Sequence, residues 1–245
     1  MEMTISTKKF DKENSKKTYE DLDKINEKIL DITDDNLKQI IKDITRTYPT
    51  YKMFKSEKTQ KKLMNVLRAF SKHYKHICYF QGMNFIVGFF LYHCEEHVAF
   101  WLFVSLIDEY EMSALFSEGF PGLKIHISKI KKIVKKNKIC QEVDELFTKL
   151  KVNYQIIMIE WLYSLFSSTI PLEVQTDFYY GFFNQGWEFF YKMCISCFLQ
   201  VPDTVTEAED VYIYLKFDKF KANNIQENIK IWKKIIDKAY HIDLI

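Results

Sequence analysis

Apolar residues recur along this chain in blocks with helical spacing, separated by short polar breaks. Thr33 or Asp34 can cap a helix whose apolar positions are Leu37, Ile40, Ile41 and Ile44, and Pro49 closes that segment. Leu63, Val66, Leu67 and Phe70 mark a second helix that stops near the polar string SKHYKH. Two almost unbroken apolar runs follow, MNFIVGFFLY (83–92) and VAFWLFVSLI (98–107), divided by HCEEH. Each run is about half the length that a membrane-spanning helix needs, and the later apolar stretch from Tyr154 to Pro171 carries Glu160 midway. These stretches are therefore expected to be buried core helices, with no transmembrane segment.

Beyond them, FSEGFPGL (116–123) reads as a loop, because it holds a Gly and a Pro-Gly pair. IHISKIKKIVKKNK is basic and amphipathic, with Ile127, Ile130 and Val134 on one side. A helix is expected at about 141–150, and two aromatic-rich helices near 155–168 and 173–200, with Pro171 between them. VPDTVTEAED is a polar break, and a last amphipathic segment covers about 224–240. Residues 1–30 are polar and charged, a mobile leader that can end in a short helix. The pattern predicts an all-α chain of roughly ten helices.

Composition narrows this further. The 6 Gly and 4 Pro in 245 residues are too few for the tight turns of a sandwich or barrel. Aromatics make up 16% of the chain and are spread along it, as core packing requires. A net charge of +2 supplies no field that would recruit nucleic acid. The five cysteines are odd in number and lie in apolar segments, which suits buried thiols in a reducing compartment better than a disulfide framework. With no apolar signal region at the start, a cytoplasmic location is expected.

Two short strings carry candidate chemistry. IIKDITRTYP contains Ile40, Asp43 and Arg46 as IxxDxxR, and CYFQGMNF contains Tyr79, Gln81 and Gly82 as YxQG. A pattern with three fixed positions arises by chance in roughly 3% of chains this long, and both in order in about one in a thousand. An arginine three residues after an aspartate shares a helical face with it, so Asp43 can hold the guanidinium of Arg46. The guanidinium is always charged and its planar fork donates to two oxygens at once. An amide such as that of Gln81 both donates and accepts, which is what positioning a water molecule takes.

The two strings resemble the paired catalytic motifs of the TBC-domain family of Rab GTPase-activating proteins. The resemblance continues through HVAFWLF (97–103), EWLYSLFSSTIPLE (160–173) and FFNQG (182–186). It implies a TBC-like all-α fold with two helical subdomains, here 31–150, holding both motifs, and 151–245. It also implies that Arg46 and Gln81 act as catalytic fingers in a Rab-type GTPase in its GTP state. Asp43, Tyr79 and Gly82 would support them, and GTP and magnesium would belong to the partner, so no cofactor of its own is expected. The work would be in vesicle trafficking, in the cytoplasm or peripheral to endomembranes. The chain departs from the family pattern in three places. No Trp precedes Trp101, Cys78 replaces a common Gly, and Tyr179 and Tyr180 stand where Trp-Asp is usual.

Other constellations read more simply. His93, Cys94, Glu96 and His97 have an HxxxH spacing but no evident third ligand, so a polar patch between apolar helices is expected there and no metal. Cys194 and Cys197 form a single CxxC inside an apolar helix, where buried thiols are expected over a redox pair. The basic stretch 129–138 reads first as the solvated face of a surface helix, with contact to anionic lipid as the alternative. The competing functional reading is a TBC-like module that binds a GTPase or trafficking partner as a scaffold. A helical protein of unrelated function is the remaining one.

Overall fold

The computed structural model describes residues 16–21, 35–74, 77–217 and 224–244, and among these every regular element is helical. The proposed caps Thr33 and Asp34, and the leader outside 16–21, lie beyond the described residues. The chain divides into two compact units, Met1–Gly122 and Leu123–Ile245. That division falls earlier in the chain than the 150/151 boundary expected from the sequence.

In the first unit, α1 (Asp35–Thr45) buries Leu37, Ile40, Asp43 and Ile44. Ile41, expected on that stripe, is exposed, and the carboxylate of Asp43 takes the inward position instead. A 3-10 turn (Lys52–Lys55) leads to α2 (Glu57–His73), whose N-terminus is capped by Ser56, the hydroxyl accepting from the Thr59 amide at 3.3 Å. The two apolar runs become α3 (Met83–His93) and α4 (Glu96–Glu109), both packed against α2 and against each other. Within 16–21, Tyr19 is buried beside Phe100 and its hydroxyl donates to Glu96 at 2.7 Å. A single-turn α5 (Ser113–Phe116) follows. The expected loop ends at Phe120, because Pro121 opens the next helix, where its fixed φ and missing N–H cost nothing.

The second unit begins in α6 (Pro121–Lys136) and continues through α7 (Gln141–Lys149), α8 (Tyr154–Ser164), α9 (Gln175–Gln185), α10 (Trp187–Phe198), α11 (Ala208–Leu215) and α12 (Ile225–Tyr240). The helix expected over 155–168 stops at Ser164. Leu165 and Phe166 have φ of 44° and 60°, a left-handed geometry that costs non-glycine residues about 1–3 kcal/mol each. Both side chains are fully buried, with Phe166 stacked on Trp161 at 4.8 Å, and that burial offsets the strain. The helix expected over 173–200 is two helices, because the backbone turns at Gly186, with φ 58° and ψ −138°. α11 starts inside the expected polar break and buries Val211 and Leu215. The core here is largely aromatic: Trp161, Phe166, Phe178, Phe182, Phe189, Phe190, Phe198 and Trp232 are buried. Tyr179, one of the departures from the family pattern, is buried too, its hydroxyl 2.9 Å from that of Ser167.

Candidate functional site

Asp43 lies in the last turn of α1 with its carboxylate wholly buried. A buried carboxylate is tolerated only with partners, and Asp43 has three. Arg46 Nη2 approaches Oδ1 at 2.5 Å, Gln39 Nε2 donates to Oδ1 at 3.0 Å, and the Tyr79 hydroxyl donates to Oδ2 at 2.7 Å. Arg46 follows immediately after α1, its amide closing a short turn onto the Asp43 carbonyl at 3.2 Å. Its side chain is 48% exposed, so one part of the guanidinium is pinned to Asp43 while the rest faces outward.

Tyr79 is buried on the segment leading into α3. Burial above all, then its hydrogen bond to Asp43, raises its pKa far above that of a free phenol. The hydroxyl therefore stays protonated and remains a donor to the carboxylate. Gln81 follows two residues on and is exposed. Gly82, next in sequence, is the N-cap of α3 with φ 117° and ψ −36°, a region in which a side chain is strained. Gln81 is thus carried on the outside of a turn whose shape Gly82 permits and whose inner wall Tyr79 ties to Asp43.

The sequence reading did not single out the residue that completes this connection. Asn84 is fully buried at the start of α3. Its Nδ2 donates to Thr47 Oγ1 at 2.8 Å, and its Oδ1 accepts from the Gly82 amide at 3.0 Å. Thr47 Oγ1 in turn donates to the Asp43 carbonyl at 2.7 Å. The Arg46 turn and the Gln81 turn are therefore joined twice, through Asp43–Tyr79 and through Thr47–Asn84. Asn84 is the one polar residue within MNFIVGFFLY, and a lone amide in an apolar run is the signal that could have found it. Tyr48 adds a third tie, its hydroxyl donating to the Phe85 carbonyl at 2.9 Å. The ring of Tyr48 lies where a Cβ on Gly88 would come within 2.9 Å of it, so only glycine at 88 leaves room for this packing.

The structure thus brings Asp43, Arg46, Tyr79, Gln81 and Gly82 onto two linked turns of one unit. The other constellations fall away from it. α3 ends at His93, and Cys94 is extended, so His93 and His97 lie on different helices. Among the described residues no group of three or more His, Cys, Asp or Glu side chains could hold a metal. Cys194 and Cys197 are free and fully buried, and burial drives both thiols well above their ordinary pKa. Cys78, in contrast to the burial expected of all five cysteines, is exposed, and Cys94 is half-buried. No helix among the described residues is long and apolar enough to cross a membrane.

Among the described residues the fold is all helical, and within it the Arg46 and Gln81 turns are bonded together. Residues 3–203 match the family model of the Rab-GTPase-TBC domain, and the chain belongs to that family. It is 31% identical over 163 residues to "Rab GTPase-activating protein eat-17" of Caenorhabditis elegans, an alignment covering 65% of this chain and 18% of that protein. It is 29% identical over 189 residues to "Growth hormone-regulated TBC protein 1" of Xenopus tropicalis, covering 76% of this chain and 52% of the other. The chain therefore spans between about a fifth and a half of the length of these relatives. Its fold is similar to that of the Chlamydomonas flagellar RabGAP TBC domain, with a TM-score of 0.72 at 20% identity, over 92% of this chain and 72% of that one. The Ypt/Rab-GAP domain of Gyp1p gives a TM-score of 0.73 at 15% identity, over 94% and 80%.

Proposed function

We propose that this chain is a GTPase-activating protein for a Rab-type small GTPase in its GTP-bound state, donating Arg46 and Gln81 in trans. The observation that carries this reading is the buried Asp43 carboxylate, which holds the half-exposed Arg46 guanidinium on one oxygen and the Tyr79 hydroxyl beneath the Gln81 turn on the other. GTP hydrolysis needs cationic charge on the phosphoryl oxygens and a group that orients the attacking water. Arg46 supplies the first, and an arginine delivered in trans raises the rate roughly 10³–10⁵-fold. Gln81 supplies the second. The nucleotide and its magnesium belong to the partner, and the chain needs no cofactor of its own. Its similarity to "Rab GTPase-activating protein eat-17" agrees with this reading. The setting it implies is membrane trafficking.

The test is single-turnover GTP hydrolysis by a panel of Rab-type GTPases, comparing wild type with Arg46→Ala and Gln81→Ala. Wild type should accelerate at least one member, and Arg46→Ala should lose about 10³-fold or more of that acceleration. A folded wild-type protein that binds GTPases but accelerates none would replace this reading with the scaffold module.

A further inference from the structure

The helix α6 and the residues just after it carry an unusual distribution of charge. Between Glu118 and Glu142 the chain has seven lysines and no acidic residue. Setting those seven aside leaves 28 cationic against 33 acidic residues in the remainder, so the chain's positive excess resides in this stretch. Helical spacing puts Ile125, Lys129, Lys132 and Lys136 on one line and Lys124, Ser128, Lys131 and Lys135 on the line beside it, and all eight are exposed. His126, Ile130 and Val134 are buried on the opposite face. Among the described residues no ion pair engages any of these lysines. Lys131–Lys135 and Lys132–Lys136 are like charges one turn apart, an arrangement that weakens a helix. A face that serves only to be solvated mixes its signs. This one does not, and it also exposes Ile125, 49% accessible, in line with the lysines near the start of the helix.

We propose that this face is a docking surface for an anionic lipid bilayer, with α6 lying flat, its lysines on the headgroups and Ile125 in the interface. Charge complementarity selects an anionic partner. The exposed Ile125 in line with the lysines favours a bilayer over a soluble polyanion, because only a bilayer offers an apolar layer beneath its charges. The surface is independent of the proposed finger residues, so it can be tested without any GTPase.

The experiment is co-sedimentation of the full chain with vesicles of phosphatidylcholine alone or with about one third phosphatidylserine. Binding is expected only to the anionic vesicles, and it should be lost at about 0.5 M salt. Replacing Lys129, Lys132 and Lys136 together by Gln should weaken it on the order of 100-fold, and Ile125→Ser should weaken it roughly fivefold at unchanged charge. All four positions are exposed, and circular dichroism checks that the variants fold. Acceleration of GTP hydrolysis in solution should be the same in the triple variant as in wild type. Equal binding to neutral vesicles, or none to anionic ones at low salt, overturns the proposal. Binding to an RNA oligonucleotide as strong as to vesicles, with Ile125→Ser behaving like wild type on both, would make this a soluble-polyanion site and overturn it equally.

Discussion

Asp43 shows what a single residue does here. Its charge is buried, its three side-chain partners are Arg46, Gln39 and Tyr79, and it links two turns that are far apart in sequence. Asp43→Asn keeps the volume but removes the charge that holds the guanidinium. Breaking a fully buried ion pair costs about 3–5 kcal/mol, and the half exposure of Arg46 reduces that to about 1–3 kcal/mol. Urea unfolding should register this loss. The acceleration of GTP hydrolysis should fall by roughly 10–100-fold, since the arginine is misplaced but present. A variant as active as wild type would mean that Arg46 needs no anchor. The contact of Asp43 with Arg46 was legible in the sequence, because residues three apart share a helical face. Asn84 was not, because its role depends on Thr47 and Gly82 arriving beside it.

At the scale of elements, α6 shows how one helix serves two surfaces. On its buried face, His126 lies against the Trp187 ring at 4.0 Å, and its Nδ1 is 2.6 Å from the Tyr191 hydroxyl. Burial chiefly, with the charge of Lys129 adding to it, lowers the His126 pKa to about 4. A base whose folded pKa lies below its unfolded value of about 6.5 stabilises the fold above that value, and the contribution is lost as pH falls towards 4. Its size is on the order of 2–3 kcal/mol. Urea midpoints of wild type should therefore drop between pH 6.5 and 4 by more than those of His126→Gln. Parallel curves would show that His126 does not titrate on unfolding. Helices with continuous apolar faces, such as α3 and α4, were legible from periodicity and length. The end of α8 at Ser164 and the break at Gly186 were not. Both depend on which aromatic side chains find room in the core, and apolar periodicity runs straight through them.

For the whole molecule, the cysteines give a direct check on the fold. All five are free, yet they differ in exposure: Cys78 is open, Cys94 half-buried, and Cys140, Cys194 and Cys197 buried. Burial raises the thiols of Cys94 and Cys140 to about 11, so neither is a reactive thiolate at neutral pH. A maleimide or disulfide reagent should label one thiol quickly in the folded protein and all five only in denaturant. Rapid labelling of Cys194 or Cys197 in the folded state would contradict the packing of α10. The amino-acid sequence by itself determined the helical class, the approximate places of the helices, the absence of a span-length apolar segment and the two motif strings. Those properties are local, set by spacing within a few turns. The tertiary structure alone decided that Ile41 faces outward while Asp43 faces inward, that Asn84 joins the two turns, and that the aromatic run of 155–200 is cut into separate helices. Each of these is settled by contacts between residues distant in the chain, whose energies no local pattern contains.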